Sequence, residues 1–140
     1  MKLSPKPGSG VVRVSADEAP WIAGFRCAEC GAVATEQTLA CRRCACRTPL
    51  QPFRASQHGH VHAWTVVERS YPGVAVPFIS VIVDLSDGLT LKGTLRGVDP
   101  ASEPAGLPVM LVFDDAGGAH DANGAPYVGY HFIATRGSSP

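Results

Sequence analysis

From Gln57 onward, apolar and polar residues alternate with a period of two, the signature of strands that lay one face on a core. GHVHAWTVVERS sets Val61, Ala63, Thr65 and Val67 against His62, Trp64, Val66 and Glu68. PFISVIVDLS sets Ile79, Val81, Val83 and Leu85 against Phe78, Ser80, Ile82 and Asp84, and Ser86-Asp87-Gly88 follows as a tight turn. LTLKGTLRG then places Leu89, Leu91, Gly93 and Leu95 inward and Thr90, Lys92, Thr94 and Arg96 outward. These three segments predict an antiparallel meander. VDPASEPAGLP, with three prolines and no helical pattern, leads to a fourth strand in VMLVFDD, and AGGAHDANGAP leads to a fifth in YVGYHFIAT. Five strands, the first long, Gly93 where a strand can bend, and a longer third connection predict an all-β, small closed barrel of OB type. A sandwich or an SH3-like barrel accommodates the same pattern. The fifth strand is apolar on both faces, which points one face at something other than the barrel's own core.

Before Gln57 the pattern is different. Residues 1–14 are rich in Pro, Gly, Ser and Lys around an apolar patch from Val11 to Val14, and predict a mobile lead-in. SADEAPW offers a weak helix start, with Ser15 as cap and Glu18 at capping-box distance, cut short by Pro20. Cys27 to Cys46 is too short and too poor in apolar residues to fold by burial alone. The expected organisation is a flexible lead-in or short helix over 1–24, a ribbon over 25–56 and the barrel over 57–136.

All five cysteines lie within CAECGAVATEQTLACRRCACR. Structural zinc takes four ligands at tetrahedral corners, thiolates at about 2.3 Å, and each C-x-x-C turn supplies one edge of that tetrahedron. Cys27 with Cys30 and Cys41 with Cys44 supply two edges, and Gly31 gives the first turn its backbone freedom. The spacing therefore predicts a rubredoxin-like zinc ribbon ordered by metal; iron suits the same four thiolates. A thioredoxin-type redox pair needs a βαβ context that the pattern does not provide. Cys46 is the odd thiol, with arginines nearby and no base in the local sequence, and reads as a spectator.

Charge narrows the partners. Lysine and arginine total 12 and acidic residues 12, so the whole chain offers no single-sign field toward nucleic acid or an anionic membrane. Locally, Arg26, Arg42, Arg43, Arg47 and Arg54 face only Glu29 and Glu36 around the cysteines, whereas acidic side chains gather after Asp84. MKLSPKPGSG lacks the apolar run of a secretory signal, and no window reaches the roughly 18 apolar residues of a membrane helix. A cytoplasmic protein without a membrane partner is expected, a reducing setting in which clustered thiols favour metal over disulfides.

Other candidate sites are weaker. His58, His60 and His62 share one face of a straight strand, but same-face neighbours lie about 7 Å apart, too far to close on one ion. Tyr71, Trp64, Phe78, Tyr127, Tyr130, His131 and Phe132 are aromatic groups that an OB barrel can present to bases or to a protein; Tyr71, Phe78, Tyr130 and Phe132 are the contacts selected. Arg42, Arg43 and Arg47 are either solvated charge or contacts for anionic groups, such as coenzyme A phosphates or an acidic enzyme surface. No carboxylate pair, nucleophile elbow or phosphate-cradling loop is evident.

The ribbon, followed by GHVHAWTVVERSYPGVAVPFISVIVDL, DGLTLKGTLRGVDP and GLPVMLVFDD, resembles the acyl-CoA-associated zinc-ribbon and OB-fold family once called domain of unknown function 35. The resemblance covers about residues 25–135 and is most specific at Thr65-Val66-Val67, Ser70-Tyr71-Pro72-Gly73 and Pro77-Phe78. Arg42 stands where the family usually has proline, and His58-Gly59-His60 replaces a small, glycine-rich strand entry. The resemblance implies a non-catalytic accessory subunit that binds a thiolase-superfamily enzyme, a thiolase or retro-aldolase, and completes its site for a bulky acyl-CoA; some members accompany hydratases. It implies a structural zinc and a coenzyme A thioester shared with the partner. The alternative function is a single-stranded nucleic-acid binder built from ribbon and barrel, which the neutral charge disfavours.

Overall fold

The computed structural model describes residues 4–5, 11–15, 18–69, 72, 76–102 and 104–135. It is all-β: β1 (Ser4–Pro5), β2 (Val12–Arg13), β3 (Trp21–Arg26), β4 (Val33–Ala34), β5 (Gln51–Arg54), β6 (His58–Val67), β7 (Phe78–Leu85), β8 (Thr90–Arg96), β9 (Pro108–Asp114) and β10 (Tyr127–Ala134). Single 3-10 turns occupy Pro100–Ser102 and Ala116–Gly118, and the described residues contain no α-helix. Among the described residues, no helix is long and apolar enough to cross a membrane. The chain divides into two compact units. One draws on Met1–Ser56, Asp87–Leu89 and Asp115–Gly129, the other on Gln57–Ser86, Thr90–Asp114 and Tyr130–Pro140.

The second unit holds the barrel. β6, β7 and β8 form the expected antiparallel meander, β9 pairs antiparallel with β6, and β10 runs parallel to β8 and also pairs with β9. That ring of five strands is closed, the OB arrangement. The inward set of β7 and β8 is the one the alternation predicted. Ile79, Val81, Val83, Leu85, Leu91 and Leu95 are buried, together with Val61, Val109, Leu111 and Phe132.

β6 departs from simple alternation. Val61 pairs with Val83, but Ala63 pairs with Ile82, so His62 is an extra residue in a β-bulge. The phase reverses across it: Trp64 and Val66 then lie opposite the buried Val81 and Ile79, while Thr65 lies opposite Ser80 and is exposed. The expected face of Val61, Ala63, Thr65 and Val67 is therefore split, because one unpaired residue exchanges every later side chain between faces.

Two glycines of the barrel are required by close approach. A Cβ on Gly59 would lie 2.3 Å from the Asp84 carbonyl oxygen. A Cβ on Gly93 would lie 2.7 Å from Cε2 of Phe132, so this glycine seats the buried ring rather than merely permitting a bend.

In the first unit, β3 is the central strand, paired antiparallel with β2, β4 and β5. The helix start proposed at Ser15 does not develop: described residues 15 and 18–20 are non-helical, and strand begins at Trp21. Pro20 removes a helix donor, and Trp21-Ile22 is aromatic and β-branched, which suits a pleated surface. Ile22, Ala23, Val12, Leu89 and Val128 form the buried side chains here outside the ribbon. Ser4 and Pro5 pair in parallel with Tyr127 and Val128.

Gly59→Ala should lower barrel stability by about 2 kcal/mol or more, since the obstructing atom is backbone and cannot rotate away. Thermal unfolding should show a fall in Tm of about 10 °C, and an unchanged Tm would contradict the β6–β7 register.

Candidate metal centre

β3 delivers the first cysteine: it ends at Arg26, and Cys27 begins a turn in which the Gly31 N–H donates to the Cys27 carbonyl at 2.9 Å and the Cys27 N–H to the Ala32 carbonyl at 2.9 Å. β4 then returns beside Phe25 and Arg26. The second turn repeats the first. The Ala45 N–H donates to the Cys41 carbonyl at 2.8 Å and the Cys41 N–H to the Cys46 carbonyl at 2.8 Å. Ala45, at φ 63°, thus occupies the left-handed position that Gly31 holds at φ 77° in the first turn. Cys46 takes the place of Ala32.

The turns are held together by few groups. Cys27, Cys41 and Leu50 are the buried cluster, with Phe25, Cys30, Ala32 and Cys46 packed against it. Gln37 acts as a substitute strand: its Nε2 donates to the Leu50 carbonyl at 3.0 Å and its Oε1 accepts from the Leu50 N–H at 3.0 Å. Leu50 is thereby fixed before β5 leaves to pair with β3.

All four sulfurs of Cys27, Cys30, Cys41 and Cys44 lie within 4.8 Å of one another. Cys27 and Cys44 approach to 3.6 Å, as do Cys30 and Cys41. A tetrahedron with metal–sulfur bonds of about 2.3 Å has edges of about 3.8 Å, so these separations fit a single ion. The Arg43 N–H points at Cys41 Sγ at 3.4 Å, a donor that favours thiolate.

Four thiolates this close cannot all ionise unaided. Cys41 is lowered to about 6, first by the backbone N–H of Cys44 and then by that of Arg43. Cys27 is lowered chiefly by the Cys30 N–H. Cys44 is pushed up to about 12: the Cys46 N–H opposes the rise, but burial and the sulfurs of Cys27, Cys30 and Cys41 outweigh it. The cluster favours the first thiolates and resists the last, and a soft divalent cation removes that conflict. The cluster can therefore hold a metal. Cys46 stands outside it, its sulfur accepting from the Thr48 N–H at 3.3 Å.

The other candidates scatter. Arg42 reaches Glu36 at 3.4 Å on the surface, while Arg43 and Arg47 are exposed and form no ion pair with any described residue. Tyr71 lies outside the described residues. Phe78 is half-buried at the start of β7. Tyr130 donates its hydroxyl to the Lys92 carbonyl, sets its ring edge-on to Phe132 with centroids 6.1 Å apart, and has its pKa raised by burial. Phe132 is a correction: it is fully buried and cannot contact a partner, because the space above Gly93 draws its ring inward. His58 and His60 are exposed and His62 turns to Asp84, with Nδ1 2.9 Å from Oδ2, so the histidines do not converge on an ion.

Two arrangements had no signal in spacing. His131 Nδ1 lies 2.8 Å from Asp114 Oδ2 in a largely buried pair set by the β9–β10 neighbourhood. Across β3 and β5, Arg54 stacks on Trp21 at 4.2 Å and Arg26 on Phe53 at 4.5 Å.

The paired turns make the same backbone demand at equivalent positions but fill it with different residues. Gly31→Ala should weaken metal retention and Ala45→Gly strengthen it, each by about 1 kcal/mol, because a Cβ is disfavoured in the left-handed region. Competition with a chelator measures both, and shifts in the same direction would refute the equivalence.

Residues 54–114 match the family described as ChsH2, C-terminal OB-fold domain. A stretch of 68 residues, 48% of this chain, is 35% identical to the 3-oxo-4,17-pregnadiene-20-carboxyl-CoA hydratase alpha subunit of Mycobacterium tuberculosis, but spans 22% of that subunit. Over 95 residues, 66% of this chain and 71% of the relative, it is 26% identical to a DUF35 domain-containing scaffold protein of Methanothermobacter thermautotrophicus. Among solved structures, a chain titled Ltp2-ChsH2(DUF35) aldolase superposes with a TM-score of 0.66 at 23% identity, covering 81% of this chain and 84% of that one, which shows the shared fold. Residues 54–114 are thus similar to the ChsH2 C-terminal OB-fold domain, and the chain is similar to the proteins once called domain of unknown function 35.

Proposed function

We propose that this chain is a non-catalytic accessory subunit that binds a thiolase-superfamily enzyme and completes its site for a bulky acyl-CoA. The reaction would be carbon–carbon cleavage or its reverse, with the thioester shared between the two proteins. The observation that carries this reading is the likeness to an archaeal protein named as a scaffold, over 71% of that protein's length. The hydratase subunit adds the chemical class, an enzyme acting on a coenzyme A thioester.

In this reading 25–56 is a zinc ribbon and 57–136 the barrel, and the protein works in the cytoplasm. Cys27, Cys30, Cys41 and Cys44 would hold zinc, which supplies a cross-link between the two turns when bound. The chain's own residues do the rest: Gln37 holds Leu50, β3 carries the first turn, and backbone amides aim at the sulfurs. Cys46 remains a spectator, and Arg42, Arg43, Arg47, Phe78 and Tyr130 are the groups proposed to meet the partner or its thioester, with Tyr71 proposed from sequence alone.

Elemental analysis should find a single zinc per chain, and a chelator or Cys27→Ser should abolish it and unfold the ribbon. Acidification should act in the same direction, since protons compete with metal for the thiolates. Co-expression with a thiolase-superfamily enzyme should give a co-eluting complex, and omission of this chain should reduce coenzyme A-dependent cleavage. Independent elution, with cleavage unaffected, would defeat the proposal. Salt-sensitive shifting of single-stranded oligonucleotides would favour the nucleic-acid alternative instead.

A further inference from the structure

Beside the second cysteine turn, the ribbon carries a groove of about 530 Å³. Ala32, Val33, Ala34 and Leu50 supply its apolar lining, and Thr38, Cys41, Arg42 and Arg43 complete it. Leu39, next to Thr38, is 98% exposed. A lone exposed leucine is ordinary, but this one directly follows in sequence a residue that lines an apolar recess also lined by cations. We infer that this groove docks an acidic segment of a partner protein, one that inserts an apolar side chain between Val33, Thr38 and Leu50 and sets carboxylates on Arg42 and Arg43.

Charge complementarity selects that occupant. Arg42 already takes a carboxylate, that of Glu36 at 3.4 Å, and both groups are solvent-exposed, so a partner's acid can replace it at small cost. Arg43 and Arg47 carry no ion pair with any described residue. Apolar anchoring inside a charged border is the composition of a specific protein contact. A nucleotide fits less well, because none of the described residues lining the groove is an aromatic on which a base would stack. This inference rests on the accessory-subunit reading and specifies the partner chemistry of its ribbon.

The test is selection of binders from a random displayed-peptide library on the full chain as purified, followed by titration of the selected peptide. Selected peptides should place Leu or Phe among Asp and Glu, and should perturb backbone amide resonances of Val33, Ala34, Thr38 and Leu50. Reversing both arginines, Arg42→Glu with Arg43→Glu, should weaken binding about tenfold, as two exposed ion pairs would, and added salt should act likewise. Leu39→Ser should weaken it less. Unchanged metal content in these surface variants confirms an intact ribbon. A basic or absent consensus, indifference to the arginine reversal, or displacement of the peptide by free coenzyme A would overturn the inference. The enzyme complex separates the two readings: if wild-type and arginine-reversed chains co-elute with it equally, the accessory role stands and the groove is not the docking site.

Discussion

Close approach of four sulfurs is the constraint on which the ribbon depends. Its buried cluster consists of Cys27, Cys41 and Leu50, so two of the three side chains that would ordinarily form a core are themselves candidate ligands. A segment with so little apolar area cannot offset its ordering entropy by burial. The backbone compensates by aiming amides at sulfur and by repeating one turn twice, and Gln37 supplies the hydrogen bonds that a neighbouring strand would otherwise give Leu50.

The barrel obeys the opposite logic. It is stabilised by ordinary close packing of Val, Ile, Leu and Phe side chains, and its specificity comes from small residues in places where nothing larger fits. Gly59 lets two backbones meet, and Gly93 admits the ring of Phe132. Parallel pairing of β10 with β8, together with the β9–β10 pairing, then closes the ring.

Much of this was legible in the residues, and the failures have physical causes. The cysteine quartet could be read because C-x-x-C spacing encodes a local turn, which needs no tertiary information. β7 and β8 could be read because their two faces differ sharply in polarity. β6 could not be phased beyond His62, since Ala63 and Val67 on one parity are no more apolar than Trp64 and Val66 on the other. β10 was ambiguous for the same reason: with apolar residues on both faces, Phe132 looks as available as Tyr130 until Gly93 across the sheet reveals the seat. The His131–Asp114 pair depends on how β9 and β10 come together, which no local spacing records. β3 was hidden behind Pro20 and a capping pattern that the chain does not use.

The extra residue at His62 gives the barrel wall a change of texture partway along one strand. Ahead of it the solvent side of β6 shows His58 and His60, broad polar rings with hydrogen-bonding nitrogens; beyond it the same side shows Ala63 and Thr65, which are small. Any molecule lying lengthwise on this strand therefore meets a half that offers ring nitrogens and a half that offers little beyond methyl groups and one hydroxyl.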